Sequence, residues 1–234
     1  MKDKHWRTVA LLPMKGHSER IPGKNFKLMN GKPLFMWVLE TLLSVDEIDL
    51  VVINTDVIDV LAKFPICNDS RVVVKSRDYE LCGDEVSMNL IIEADINEFY
   101  GDRYIMTHTT NPLLSKETIS DGLTLFNDIV HARNGDSVFG VSKHQTRFYD
   151  KQASPINHNP SKLERTQDLD PYFEENSCLY IFTRESFSST GARIGSKPSM
   201  LEIPKIEAID IDTSEDWDLA NVVQNGLSAL ENIK

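Results

Sequence analysis

Short apolar runs alternate with longer segments of helical periodicity along most of the chain, and this rhythm is what most narrows its fold. TVALLP (8–13), DLVVINTD (49–56), RVVVK (71–75), YIMTHTT (104–110), SVFGVS (137–142), NSCLYIF (176–182) and IEAIDID (206–212) read as strands. Between them PLFMWVLETLLSV (33–45) reads as a helix, with Leu34, Val38, Leu42 and Val45 near one face. VIDVLAKF, residues 87–100, residues 116–133 and residues 214–233 read as further helices. Such alternation predicts an α/β fold: a mostly parallel sheet with helices on both faces. Ligands of open α/β sheets sit beyond the carboxyl ends of the strands. The loops after residues 13, 56, 75, 110 and 212 are therefore expected around one crevice. Residues 143–173 break the rhythm; they are polar, carry Pro155, Pro160 and Pro171, and read as an excursion from a single domain covering 1–234.

Composition removes several classes. No apolar stretch approaches the roughly 20 residues of a membrane span. No apolar core follows the basic MKDKHWR, so no signal peptide is expected. Cys67, Cys82 and Cys178 are odd in number and far apart, which points to a reducing, cytoplasmic setting without a disulfide framework. Thirty-six acidic residues against 25 basic ones, a net charge of −11, speak against a nucleic-acid partner. They leave room for a small anionic ligand, because local charge can oppose the total.

Four constellations carry candidate chemistry. The loop PMKGHSERIPGKN (13–25) joins two glycines, Ser18 and, with Lys27, four basic side chains directly after the first strand. It matches neither the P-loop nor the dinucleotide fingerprint, and fits two readings: a solvated surface loop, or a cradle whose amides and cations hold phosphates. In IDID (209–212), period-2 geometry places Asp210 and Asp212 on one face. Two such carboxylates suit Mg²⁺ or Mn²⁺ shared with substrate phosphates; the plainer reading is that an Asp or Thr213 caps the next helix. THTTNPLL (107–114) offers hydroxyls and an amide to a polyhydroxylated ligand, or merely an Asn-Pro turn. Arg165 can grip a carboxylate or phosphate with two prongs, Glu175 stands just before a strand, and Cys82 and Cys178 read as packing.

Taken in order, LLPMKGHSERIPGKN, NGKPLFMWVLE, NTD, RDYELCGDEVS, TTNPL, RTQD, ENSCLYIF and DIDTSEDWDLA resemble the acylneuraminate cytidylyltransferase family, over about residues 8–222. The resemblance implies a Rossmann-like nucleotidyltransferase whose excursion (143–173) dimerises and reaches into the partner's site. It implies CTP and a 2-keto-3-deoxy sugar acid as substrates, with the anomeric hydroxyl attacking the α-phosphate and pyrophosphate leaving. Carried over by position, Lys15, Gly16, Ser18, Lys24 and Asn25 would hold the triphosphate, with Asn25 near ribose or base. Pro13 and Arg77 would border cytosine, with Asp84 to Ser87 nearby. Asp210 and Asp212 would bind magnesium. His108, Thr110, Arg165 and the Tyr172–Glu175 region would face the sugar acid. The chain departs from the family pattern at Lys15 (usually Arg), Glu19 (usually basic), His108 (often Gln) and Met88 (often Ser). These departures leave the sugar open rather than the reaction. Two other readings compete: a GT-A-type glycosyltransferase, which also uses a DxD, and a nucleotide-binding regulatory module without activity.

Overall fold

A computed structural model of the chain describes residues 4–231. Its strands are β1 (His5–Leu11), β2 (Leu28–Met29), β3 (Lys32–Pro33), β4 (Leu50–Thr55), β5 (Val72–Ser76), β6 (Tyr100–Met106), β7 (Ser137–His144), β8 (Tyr172–Phe182) and β9 (Pro198–Glu202). Its helices are α1 (Leu34–Ser44), α2 (Ile58–Leu61), α3 (Met88–Glu98), α4 (Lys116–His131), α5 (Arg184–Thr190) and α6 (Ser214–Glu231). Among the described residues seven strands form one sheet in the order β5-β4-β1-β6-β8-β7-β9, and β2 and β3 form a small hairpin. The pairs β5–β4, β4–β1, β1–β6 and β7–β9 are parallel, whereas β8 runs antiparallel to both β6 and β7.

The two faces follow from strand alternation. Ala10, Val51, Ile53, Ile105, Leu179 and Ile181 point to the side covered by α1 (Phe35, Val38, Leu42) and α4 (Ile119, Leu123, Phe126). Their neighbours Val9, Leu11, Val52, Tyr104, Tyr180 and Phe182 point to the side covered by α3 (Ile92, Ile96) and by Phe187 of α5. Leu34, Val38, Leu42 and Val45, placed on one helical face by their spacing, are all buried. Because both faces are covered, the buried stretches 9–11, 50–53, 104–106 and 179–182 carry apolar or aromatic residues at every position rather than every second one.

Three features differ from the sequence pattern. Residues 206–212 are not a strand: Ala208 N–H closes a turn on Pro204 O at 3.0 Å, and Ile211 N–H makes a single bond to Thr110 O at 2.9 Å. Their apolar alternation is instead used by Ile211 and Ile209, which pack with Trp217 of α6. Helix α5 and strand β9 lie in a stretch without apolar periodicity. Residues 232 and 233 of the expected last helix lie outside the described residues. The irregular excursion spans 145–171 between β7 and β8, which are longer than their apolar cores.

Candidate active site

The loop after β1 is shaped by two glycines. A side chain at Gly16 would put its Cβ 2.3 Å from Val57 Cγ1, and Gly16 N–H donates to Asp56 Oδ1 at 2.7 Å. In IPGKN, Pro22 and Gly23 are the central residues of a turn closed by Lys24 N–H to Ile21 O at 3.1 Å, and Gly23 has φ +64°. The turn delivers Lys24 inward. Its Nζ donates to Ile211 O at 2.5 Å and lies 3.8 Å from Asp212 Oδ1. Burial lowers the Lys24 pKa against the opposing pull of Asp212 and Asp210. Lys15 pairs with Asp84, whose carboxyl that contact holds below its usual range. Arg20 donates to Asp212 Oδ1 at 2.7 Å. Lys27 turns away and rests over the Trp217 ring at 4.1 Å. Three of the four expected cations therefore face one space.

That space is a cavity of about 270 Å³ at the carboxyl ends of β1, β5 and β6. Pro13, Lys15, Ser18, Lys24, Asn25, Arg77, Asp84, His108 and Thr110 all line it. Two of these are occupied by the scaffold. Asn25 is buried, its Nδ2 donates to Lys15 O at 2.7 Å and its Oδ1 accepts from Thr109 Oγ1 at 2.6 Å, so it staples the loop to the end of β6. Arg77 is buried and donates to Asn54 Oδ1 (2.9 Å), Asn54 O (2.8 Å) and Met14 O (3.1 Å). Asn54 was not legible as a site residue, although it sits in the NTD motif.

At the edge, Asp210 and Asp212 flank buried Ile211 on the irregular segment rather than on a strand. Asp210 Oδ1 is buried and has no hydrogen-bond partner among the described residues. Burial raises the Asp210 pKa, Thr110 lowers it and nearby Asp212 raises it again. Thr213 does cap α6: Asp216 N–H donates to its hydroxyl at 3.3 Å, and Asp216 Oδ2 accepts from Thr213 N–H at 2.7 Å.

The remaining expected residues lie apart. Gly16 sits behind the cavity. Ser87 caps α3, accepting from Asn89 N–H at 3.3 Å, and with Glu175 lines a neighbouring groove. Tyr172 packs on Phe148 at the base of the excursion. Arg165 is exposed on the excursion and forms a two-pronged pair with Asp168 (2.7 and 3.0 Å). Asn111 turns inward, donating to Ile209 O at 3.4 Å, instead of facing the crevice. One residue without any local signature in the sequence does reach the site: Arg193 Nη1 lies 3.2 Å from His108 Nε2. His108 is driven down to about 3 by burial first, then by Arg193 and Lys24, so its ring is neutral and Nε2 accepts from Arg193.

A sequence model of the family described as Cytidylyltransferase matches residues 9–232. The chain belongs to that family. It is 27% identical over 219 residues to N-acylneuraminate cytidylyltransferase A of Danio rerio, covering 90% of this chain and 49% of the relative. It is 26% identical to the CMP-N,N'-diacetyllegionaminic acid synthase of Legionella pneumophila, covering 91% of this chain and 94% of the relative. It is 24% identical to the pseudaminic acid cytidylyltransferase of Campylobacter jejuni, covering 93% and 96%. The chain thus spans about half the length of the fish relative and nearly all of the two bacterial ones. In fold, the chain is similar to a CMP:2-keto-3-deoxy-manno-octonic acid synthetase complexed with CTP (TM-score 0.66, 14% identity, 94% of this chain and 99% of that one). It is also similar to 4-diphosphocytidyl-2C-methyl-D-erythritol synthase from Anaerococcus prevotii (TM-score 0.61, 15% identity, 94% and 96%). The Rossmann-like nucleotidyltransferase architecture follows.

Proposed function

We propose that this enzyme activates a sialic-acid-like 2-keto-3-deoxy sugar acid with CTP, giving the CMP-sugar and pyrophosphate. The observation that carries the reading is that Lys15, Lys24 and Arg20 line one cavity of a cytidylyltransferase-family fold, with Asp212 against Lys24 and Arg20 and Asp210 beside it at the edge. Lys15, Ser18, Lys24 and the amides around Gly16 bind the triphosphate. Pro13, Arg77 and the 84–87 loop border the base. Asn25 keeps the loop in shape. The orphaned Asp210 Oδ1 and the adjacent Asp212 fit a divalent cation, Mg²⁺ or Mn²⁺. Among the described residues no three His, Cys, Asp or Glu side chains stand together as a metal site, so its other ligands would be phosphate and water oxygens. Such an ion supplies charge neutralisation at the α-phosphate. His108 and Thr110 face the sugar. His108, neutral with Nε2 engaged, orients substrate and is not its base. The rest is positioning and charge, as in phosphoryl transfer generally.

The finer assignments belong to the same proposal. Two copies associate through the excursion, and Arg165 and Tyr172 of one copy approach the other's sugar. The free Cys67, Cys82 and Cys178 suit the reducing cytoplasm.

The test is pyrophosphate release with CTP and Mg²⁺ across N-acetylneuraminate, legionaminate, pseudaminate, 3-deoxy-manno-octulosonate and its 8-amino analogue, with ATP, GTP and UTP as controls. Release with CTP and one acid is expected, and loss of Asp210 (Asp210→Ala) should lower kcat by about 100- to 1,000-fold. Absence of CTP binding would overturn the reading.

A further inference from the structure

Beside the cavity, and sharing Met88 with it, lies an open groove of about 330 Å³ walled by Ser87, Asn89, Glu175 and Arg193. Arg193 is the one cation among the described residues that line it. Its guanidinium lies over the Tyr180 ring at 3.8 Å, with the side chain 18% exposed. Nη1 faces His108 Nε2 (3.2 Å) and Met106 Sδ (3.7 Å), and Nη2 faces Glu175 Oε1 (3.3 Å). A guanidinium has five N–H donors, so these contacts leave donors over, and Nε–H has no acceptor among the described residues.

The placement is built by the surrounding chain. The loop bearing Arg193 starts at Gly191, whose φ of +67° ends α5. Thr190 Oγ1 binds Ala192 and Ile194 on either side of Arg193. Asp136 then takes Ser196 N–H (2.9 Å) and Lys197 N–H (3.0 Å), and Ser137 Oγ takes Gly195 N–H (2.8 Å). From the other side, the register between β7 and β8 shifts where Phe139 and Val141 face Tyr180 and Glu175, and this irregularity brings the Glu175 carboxylate onto the Tyr180 hydroxyl. Gly140 permits it, because a Cβ there would meet Asn176 Oδ1 at 2.8 Å. Arg193 is thus a half-buried, ring-stacked cation held at both flanks, with spare donors directed at a groove.

We infer that this groove takes the sugar acid and that Arg193, in the same chain, binds its carboxylate, while Glu175 accepts from a hydroxyl or amide N–H of the sugar. The inference rests on the proposed reaction. It moves carboxylate recognition from Arg165, which pairs with Asp168 on the excursion, to a residue inside the fold. Arg193 also carries an ion pair, with Glu175 at Nη2 (3.3 Å), while neutral His108 fixes the Nη1 edge through Nε2 and adds no second carboxylate.

The experiment compares wild type with Arg193→Met, Arg193→Lys and Arg165→Met. CTP affinity is measured by calorimetry, and pyrophosphate release is measured with N-acetylneuraminate, legionaminate and pseudaminate and with the carboxamide of whichever acid is used. Arg193→Met is expected to raise KM for the acid about 10- to 100-fold, as loss of a charge-assisted bond does. It should leave CTP affinity unchanged and abolish the preference of wild type for acid over carboxamide. Arg193→Lys should recover part of that preference, since it keeps the charge and loses the fork. An unchanged KM in Arg193→Met, or a loss of acid preference confined to Arg165→Met, would overturn the assignment. A wild type that binds CTP yet is silent with every acid would overturn the reaction and this inference with it.

Discussion

At the residue scale, His108 ties fold stability to the site. Burial drives its pKa from 6.5 to about 3, with Arg193 and Lys24 adding repulsion. The unfolded chain binds a proton at this ring near pH 6.5 and the folded chain does not until about pH 3. The stability held above pH 6.5 is therefore lost as pH falls through that window, at about 1.4 kcal/mol per pH unit. In His108→Gln, which has no such proton to take up, urea-unfolding free energies should fall by about 2 kcal/mol less than wild type between pH 7 and pH 5. Equal pH dependence in the two proteins would show that the ring is solvated and titrates normally. Residue types in themselves are legible in a sequence; their neighbours are not. His108 and Lys24 could be picked out from motifs, whereas Arg193 sits in GARIGSKP, a polar loop that looks like any other until the fold lays it over Tyr180.

At the scale of elements, the phosphate loop leans on a polar seam buried between sheet and helix. Asp95 of α3 is 1% exposed; its Oδ1 accepts from Asn54 Nδ2 at 2.7 Å and Lys75 Nζ at 3.1 Å. Burial raises the Asp95 pKa while Asn54 and the two nearby cations pull it down. By claiming the amide nitrogen, Asp95 turns Asn54 Oδ1 toward Arg77, which in turn holds Met14 O beside the cavity. Asp95→Ala would leave the Asn54 donor without its acceptor and Lys75 with only Glu98 and the Ala94 carbonyl. It should destabilise the protein by about 3–5 kcal/mol in urea unfolding, as breaking buried ion pairs does, and weaken CTP binding. A loss under about 1 kcal/mol with CTP affinity intact would show the seam to be incidental. The elements themselves were legible where one force dominates. Central strands carry continuous apolar runs, such as residues 50–53 and 179–182, and α1 and α4 show clear stripes. IDID misled because alternation satisfies any extended segment with one buried side, and here Trp217 of α6 supplies that side in place of a neighbouring strand. Strand β9 alternates only between exposed and half-buried, and α5 is a seven-residue, serine-rich helix fixed by the Thr183–Ser186 capping box, so neither carries a strong pattern.

At the scale of the molecule, a net charge of −11 surrounds a pocket that gathers Lys15, Arg20 and Lys24, with Glu19 and Asp84 also in its lining, so local charge there departs from the total. The excursion is the other large-scale feature. Leu163 is 86% exposed, and Tyr149, Ile156, Tyr172 and Phe173 stand exposed around it. These exposed apolar groups suit the proposed association, and a second copy of the chain fits the proposed sharing of Arg165. Sedimentation should show a dimer, and the pair Ile156→Asp and Leu163→Asp should shift it toward monomer with CTP binding retained. Complementation then separates association from site sharing. If Arg165 serves the neighbouring copy, Arg165→Ala and Asp210→Ala are each inactive, yet a hybrid dimer holds one site with both residues. Random exchange makes half the dimers hybrids, so the mixture should recover roughly a quarter of wild-type activity. If Arg165 acts only within its own chain, each hybrid site carries one defect and the mixture stays silent. Recovery would show that the segment which breaks the sequence's strand–helix rhythm completes the active site of its neighbour.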